Sequence, residues 1–354
     1  GVVLQDFNLA LAKEGLFFPP DPQSFLGCTL GGAVAENAGG PFCLKYGVTK
    51  QYVLGLEVAL ADGSVMKLGG LTAKNRTGYE LVMLFTGSEG TLGIITRITL
   101  RLLPAPKANK TIIAVFNDLS VSGEAVSNII SSSILPSKIE LVDKMLFKRF
   151  EELFPSGLAA DTQVILLIQV DGLPETVQVE AMQILDICKK SDASEAMIAR
   201  DQTEADRFWQ ARRAGFSDVS SAAHTVLSED VVVPRSKIAE FVKVCQEKAR
   251  QYDVSINLLG HAGDGNLHPS VLTDQRDSEH YQRALKWVDE IIDTALSLGG
   301  VLSGEHGVGL EKQRFFRKAI DPVALNIMKK IKDVLDPNHI INPGKIWKET
   351  SNEE

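Results

Sequence analysis

Gly260-His261-Ala262-Gly263-Asp264-Gly265-Asn266-Leu267-His268, together with the later Ser303-Gly304-Glu305-His306-Gly307, decides how this chain is read. These two glycine-rich loops hold three of its six histidines, an aspartate and a glutamate. His261, His268 and Glu305 have the ligand types and the spread of a mononuclear metal site. His306 then stands beside the metal as a proton acceptor. A plainer reading is a pair of tight turns that need positive φ and happen to carry surface histidines. Turns explain the glycines, but not three imidazoles and a carboxylate converging on two loops. A swap in which His306 ligates and Glu305 does not stays open at this level.

A length of 354 residues suggests about two domains, at ~100–200 residues each. The hydrophobic share of 44% supports buried cores, and the net charge is −8. With no dense Lys/Arg block, nucleic acid is not an expected partner. No apolar run approaches the ~18 residues of a transmembrane helix, and the longest, residues 164–170, is strand-sized. Cys28, Cys43, Cys188 and Cys245 form no CxxC and no iron–sulfur ligand run, so no cluster is expected in this chain. Free cysteines with apolar flanks suit the cytoplasm, with a place at the periphery of a membrane left open. The chain opens on Gly-Val-Val-Leu-Gln-Asp-Phe, without methionine or targeting signal, partway into a helical pattern. The expectation is that an N-terminal piece is missing or lies on another chain, and a signal peptide stays open.

Residues 1–104 read as a first block. It holds a helix over 3–13 closed by Gly15, and a stiff extended loop at Pro19-Pro20-Asp21-Pro22. Strands at 53–60 and 64–68 flank Asp62-Gly63, a hairpin signal. A short helix at 79–85 leads through Gly87-Ser88-Glu89-Gly90-Thr91-Leu92-Gly93 into an alternating strand at 94–102. Pro104-Ala105-Pro106 reads as a linker. Residues 105–310 form a second block, with strands at 111–116, 138–142, 163–170, 225–233 and 255–259. Its helices fall at 120–134, 143–153, 175–190, 236–251 and 279–298. Strands adjacent in sequence favour an antiparallel or mixed sheet with helices on one side, an α+β domain. A tail over 311–354 carries one more helix, opened by Asp321-Pro322 and striped by Leu325, Met328, Ile331 and Leu335. Asn342-Pro343-Gly344-Lys345 follows it.

The loop at 29–40, Thr-Leu-Gly-Gly-Ala-Val-Ala-Glu-Asn-Ala-Gly-Gly, allows backbone amides to approach an anion closely. It lacks the G-x-G-x-x-G spacing of a dinucleotide fingerprint and the Gly-Lys-Ser/Thr of a P-loop. Alone it reads equally as ligand cradle or close packing. With the second glycine loop at 87–93 it points to a large, flat or phosphorylated ligand.

Together these two loops, the Gly-His-x-Gly-Asp-Gly-Asn-Leu-His and Ser-Gly-Glu-His-Gly-x-Gly motifs and Asn-Pro-Gly-Lys resemble the FAD-linked oxidases of the vanillyl-alcohol-oxidase type. Within these the chain is most similar to the D-2-hydroxy acid dehydrogenase group, which includes the glycolate oxidase FAD subunit and the D-lactate and D-2-hydroxyglutarate dehydrogenases. The resemblance implies an α+β fold: part of a two-lobe FAD domain with the first lobe absent, plus an α+β cap domain with an antiparallel sheet. Lacking that lobe and its pyrophosphate loop, the chain alone is expected to hold FAD weakly or not at all. The second lobe would span 1–104, the substrate or cap domain 105–310, and 311–354 would return to the flavin side.

The resemblance also assigns residues. Pro20, Thr29, Gly31, Gly32, Asn37, Gly39, Gly40, Tyr46 and Gly47 match the flavin-contacting loop. Glu89, Gly90, Gly93 and Ile94 match the segment along the adenine half, and Asn342 the asparagine near the flavin ring. His261, His268 and Glu305 match ligands of a divalent metal (zinc, manganese or iron), and His306 the catalytic base. Asn266 would support the metal loop. Arg212, in Trp209-Gln210-Ala211-Arg212, matches the arginine that clamps the substrate carboxylate; by itself it also reads as an ordinary surface charge beside Arg213. Ser228-Glu229-Asp230 stands where hydroxyglutarate enzymes carry a lysine, which favours a small monocarboxylic acid such as D-lactate or glycolate. Electrons would leave the flavin for an electron-transferring flavoprotein, an iron–sulfur subunit or a quinone. Two other readings compete: a metal-dependent hydrolase without flavin, and a non-catalytic subunit of a redox complex.

Overall fold

The chain leaves its first unit at Ala105 and returns to it at Leu302, so that Gly1–Ala105 and Leu302–Glu354 form one compact unit and Pro106–Val301 a second. The computed structural model describes residues 1–147, 150 and 159–347.

The first unit opens with α1 (Leu4–Lys13), which buries Leu4 and Leu11, two turns apart on one face. Gly15, at φ +67°, ends it in the left-handed region. The short β1 (Leu16–Phe17) later pairs with β5 (Leu103–Pro104). Thr29 caps α2 (Leu30–Glu36), its hydroxyl accepting from the Gly32 amide at 3.1 Å. A single turn, α3 (Cys43–Tyr46), precedes β2 (Val53–Ala59) and β3 (Val65–Gly69). Their hairpin turns at Asp62-Gly63, where the Asp62 carboxylate accepts from the Ser64 amide at 2.9 Å. After α4 (Leu81–Phe85), β4 (Ile94–Leu100) pairs with the other edge of β2, giving the order β3-β2-β4. Val34, Val53, Leu56, Val58, Val82, Phe85 and Leu92 form this unit's core. Two helices lie after the second unit in sequence, α10 (Gln313–Ala319) and α11 (Pro322–Leu335), and α11 packs Ile331 and Leu335 on that core.

The second unit is built on one antiparallel sheet. In chain order it comprises β6 (Ala108–Phe116), α5 (Leu119–Ser131), β7 (Lys138–Asp143), β8 (Val164–Gly172), α6 (Pro174–Lys190), β9 (Glu195–Ile198) and α7 (Gln202–Ser221). Then come β10 (Thr225–Ser228), β11 (Val231–Val232), α8 (Ile238–Tyr252), β12 (Ser255–His261), β13 (Asn266–Thr273) and α9 (Ser278–Ser297). The sheet order is β10-β13-β12-β7-β8-β6-β9, with β11 also on β13. Every pair is antiparallel.

Side chains alternate between the two faces of each strand. Ile113, Val115, Val142, Ile165, Leu167 and Leu259 face α7, meeting its Ala205, Phe208, Trp209 and Val219. Their neighbours Ile112, Ala114, Leu141, Leu166 and Ile168 are equally buried on the opposite face. There α6 packs against β6 and β8, and α9 and α8 against β13 and β12. Cover on both faces explains why β8 opens on a continuous apolar run, Val164 to Ile168.

Several expectations change here. Helices were expected on one side of the sheet, yet α7 covers the other side. The strand expected at 225–233 is two strands, broken where Glu229 donates its amide to the Pro269 carbonyl at 2.9 Å and Asp230 turns inward, fully buried. The helix expected at 143–153 begins as a single 3-10 turn at Lys144–Leu146, and its later part lies largely outside the described residues. All four cysteines are unbridged. Among the described residues, no helix is long and apolar enough to cross a membrane.

Candidate active site

In the second unit, register places the polar residues. His261 pairs with Glu140 across β12 and β7, and His268 with Leu259 across β13 and β12. Leu259 lies against α7, so Glu140, His261 and His268 share the α7 face. Ala205, Phe208 and Trp209 seat α7 on the sheet, and Arg212 follows on the same helical stripe at 5% exposure.

Glu140 joins two of these groups. One carboxylate oxygen lies 2.7 Å from His261 Nδ1 and the other 2.8 Å from Arg212 Nη2. Burial pushes the Glu140 carboxyl up, but the His261 imidazole bonded to it, the Arg212 guanidinium and Lys138 outweigh it and hold the group below the usual carboxylate range. Lys138 Nζ sits 4.4 Å from the centre of the Trp209 ring, whose Nε1 donates to the Thr111 hydroxyl at 2.9 Å. Arg212 Nε is a buried donor with no partner among the described residues.

The rings of His261 and His268 meet edge to face, 5.1 Å between centres. Asp230 lies 3.9 Å from His268 Nδ1 and accepts from Asn266 Nδ2 at 2.7 Å. The same Asn266 nitrogen donates to the Val231 carbonyl at 3.1 Å, tying the His261–His268 turn to β11. Gly265 is required in that turn: at φ +86°, a Cβ would lie 2.2 Å from the Val233 carbonyl oxygen. On the same face the Ser270 hydroxyl donates to Ser228 at 2.9 Å. His261 is oriented through Nδ1 and faces a second imidazole, a donor set suited to zinc, manganese or iron.

In the first unit, three stretches far apart in sequence converge on Glu89. Its own amide donates to the Ala35 carbonyl at 2.9 Å, as does that of Gly87 to Val34. Its carboxylate accepts from the amides of Val308 at 2.8 Å and Gly309 at 2.7 Å. Its carbonyl accepts from Asn342 Nδ2 at 2.7 Å. Glu89 adopts φ +52°, Asn37 +53° and Asn342 +47°, three non-glycine residues in the left-handed region.

Behind this junction lies Lys332, buried and paired with Asp336, donating also to the carbonyls of Thr91 at 2.8 Å and Ile341 at 2.7 Å. Glu305 is nearly buried and His306 half exposed, with 3.8 Å between Glu305 Oε1 and His306 Nε2. Gly39 lets the two loops approach closely: a Cβ there would lie 2.9 Å from a Glu305 carboxylate oxygen. A cleft of about 540 Å³ is lined by Glu36, Asn37, Lys50, Thr86, Gly87 and Glu305, among others. Burial, with the charge of Glu89 nearby, raises the Glu36 carboxyl, and Lys345 partly offsets this.

The remaining expected positions spread more widely through this unit. Gly31 borders open space, as a cofactor approaching the backbone of α2 requires, and Gly32 caps into Thr29. Gly40 abuts the Asp21 carbonyl, and Gly93 packs on Val58. Pro20 is buried and Ile94 is 59% exposed. Tyr46 lies in an aromatic group with Phe17 and Phe42, and its carbonyl accepts from the Tyr52 hydroxyl at 2.7 Å; Gly47 follows at the end of α3. Gly90 lies 3.6 Å, measured from an added Cβ, from Asn342 Nδ2.

Sequence reasoning missed Glu140, Asp230 and the Glu89 carboxylate. The available signal was an acid inside an apolar strand, Lys-Ile-Glu-Leu-Val at 138–142, since buried acids are rare unless paired.

Comparison with known proteins gives the family. A model of the FAD linked oxidases, C-terminal domain, matches residues 105–346, and one of an FAD binding domain matches residues 1–69. The glycolate oxidase subunit GlcD of Bacillus subtilis (strain 168) is 42% identical over 347 residues, covering 98% of this chain and 74% of that protein. A D-lactate dehydrogenase of Anaerostipes hadrus is 36% identical over 357 residues, covering 98% of this chain and 74% of that one. Among solved structures, p-cresol methylhydroxylase with substrate bound superposes at a TM-score of 0.74 and 17% identity, over 100% of this chain and 76% of that one. Alkyldihydroxyacetonephosphate synthase gives 0.70 at 20% identity, over 96% of this chain and 63% of that one; at such identities these two show the fold alone. A family model over most of the length, with close relatives over nearly all of it, establishes that the chain belongs to the FAD-linked oxidases, a family of flavin-dependent oxidoreductases.

Proposed function

We propose that the chain oxidises a small 2-hydroxy acid, D-lactate or glycolate, to the 2-keto acid, with FAD and a divalent metal as cofactors. The observation that carries this reading is Glu140, whose two oxygens hold the Arg212 guanidinium and the His261 imidazole beside one another on one sheet face. A 2-hydroxy acid offers a carboxylate and a hydroxyl on adjacent carbons. It therefore needs a planar cation and a polarising group close together. The names of the relatives, glycolate oxidase and D-lactate dehydrogenase, favour the same substrates.

Arg212 binds the substrate carboxylate with its planar fork, and its unpartnered Nε supports that role. His261, His268 and Glu305 are the residues that would hold zinc, manganese or iron, which supplies a Lewis acid for the hydroxyl. His306 takes the hydroxyl proton on its ring. FAD, when bound, supplies the hydride acceptor. The glycine loops of the first unit, with Asn37 and Asn342, would hold it, while Glu89 keeps the His306 loop in place. Ser228-Glu229-Asp230 carries no lysine where hydroxyglutarate enzymes have one, and Ser228 bonds to Ser270 instead, which favours a monocarboxylic acid. Electrons then pass to an electron-transferring flavoprotein, an iron–sulfur subunit or a quinone. Unbridged cysteines favour a cytoplasmic setting.

Two adjacent residues test the assignment. His306→Ala should lower turnover by ~10²–10⁴, the usual contribution of a general base, while metal content stays near wild type. Glu305→Ala should empty the metal site. The opposite pattern would exchange the two roles, and unchanged turnover in both would make these loops structural turns.

A further inference from the structure

Glu140 sits at zero exposure in a strand whose other residues, Lys138 apart, are apolar or lie at its end. A buried carboxylate stays ionised only when its oxygens are matched by donors and positive charge. Here the match is divided between two elements. Oε1 is hydrogen-bonded to His261 on β12, and Oε2 lies 2.8 Å from Arg212 Nη2 on α7 as an ion pair without hydrogen-bond geometry. An ionised carboxylate is an acceptor only, so His261 must donate from Nδ1. In the neutral ring that leaves the lone pair on Nε2. On the other side, Glu140 engages Nη2 of Arg212 and leaves Nε without a partner among the described residues. One acid therefore sets the tautomer of a ring and holds the charge of a guanidinium in separate elements.

We propose that Glu140 is a positioning residue that couples the two arms of the substrate site, presenting His261 through Nε2 and Arg212 through its Nε edge. This rests on the reading of Arg212 as the carboxylate clamp and His261 as a metal ligand. The coupling has a specific consequence. Loss of the charge should disturb metal binding and substrate binding together, although the two groups lie on different elements. A residue that only fills space would not link them.

The first test uses the wild-type holoprotein stripped of metal, with ¹⁵N-labelled histidine and long-range ¹H–¹⁵N correlation. His261 should appear as the Nδ1–H tautomer. An Nε2–H ring, or one averaging between tautomers, would overturn the proposal without bearing on which acid is oxidised. The second test substitutes Glu140→Gln, with Glu140→Asp as a variant that keeps the charge. For Glu140→Gln, affinity for zinc alone, read by competition with a chromogenic chelator, should fall ~10–100-fold, as when a metal-orienting partner is lost. The KM for D-lactate or glycolate should rise in the same variant, and Glu140→Asp should recover part of both. Zinc affinity and KM unchanged in a folded Glu140→Gln protein would refute the coupling. If Glu140→Gln does not fold, Glu140→Asp and the wild-type tautomer still decide the matter. Failure of the wild-type enzyme to oxidise any 2-hydroxy acid would sink the functional reading, with the tautomer result standing separately.

Discussion

Two buried acids organise the polar side chains and loops of this molecule. Glu140 fixes His261 and Arg212, and Glu89 receives two amides of the loop that carries Glu305 and His306. The histidines and their glycines were legible in the sequence because each motif is local. Glu140 was not, because its partners come from a neighbouring strand and a helix, and only register brings them together. Glu89 was read for its backbone beside a cofactor; its side chain proves to be committed to Val308 and Gly309. This commitment is testable. Glu89→Ala leaves two partly buried amides without acceptors, at about 1–3 kcal/mol each. The expected outcome is a lower urea midpoint together with a drop in turnover, since the His306 loop loses its anchor. Unchanged turnover in a destabilised protein would limit Glu89 to a structural role.

At the scale of elements, the helices with continuous apolar stripes and the Asp62-Gly63 hairpin were legible, and α7 and β13 were not. The buried stripe of α7 runs through Ala205, Phe208, Trp209 and Arg212, so two small or charged residues break its apolar signal. Pro269 and His268 interrupt β13, which pairs on both sides despite them. In α11 the inward position is Lys332, held by Asp336 and two carbonyls, so the stripe read from sequence omits the residue that anchors the helix to the Asn342 turn. Burial works to raise the Asp336 carboxyl, yet Lys332 and the amides of Ile341 and Ile340 hold it below the usual aspartate value. A carboxyl depressed in the folded state adds stability above its unfolded pKa and loses it as pH falls through its folded pKa. The first unit should therefore weaken below about pH 4, the ordinary aspartate range. Asp336→Asn should flatten that acid limb in urea titrations at several pH values. An identical acid limb in the variant would place the loss elsewhere.

At the scale of the whole molecule, the α+β class and the FAD-linked family followed from several glycine- and histidine-containing motifs read in order. The division of polar residues between the faces of the large sheet did not, since it depends on which strands are neighbours. The molecule combines a flavin-family unit, in which distant loops meet at Glu89, with a sheet unit that gathers Arg212, Glu140, His261 and His268 on one face. In the proposed reaction the bound flavin takes a hydride from a small 2-hydroxy acid with help from a divalent metal. Anaerobic titration of the FAD-loaded protein with D-lactate and with glycolate, followed in the visible flavin band, tests it most directly. The band should bleach with at least one of these acids, persist after chelation, and bleach again once zinc, manganese or iron is restored. A flavin that stays oxidised with both acids in the metal-replete protein, yet bleaches with dithionite, would rule this reaction out.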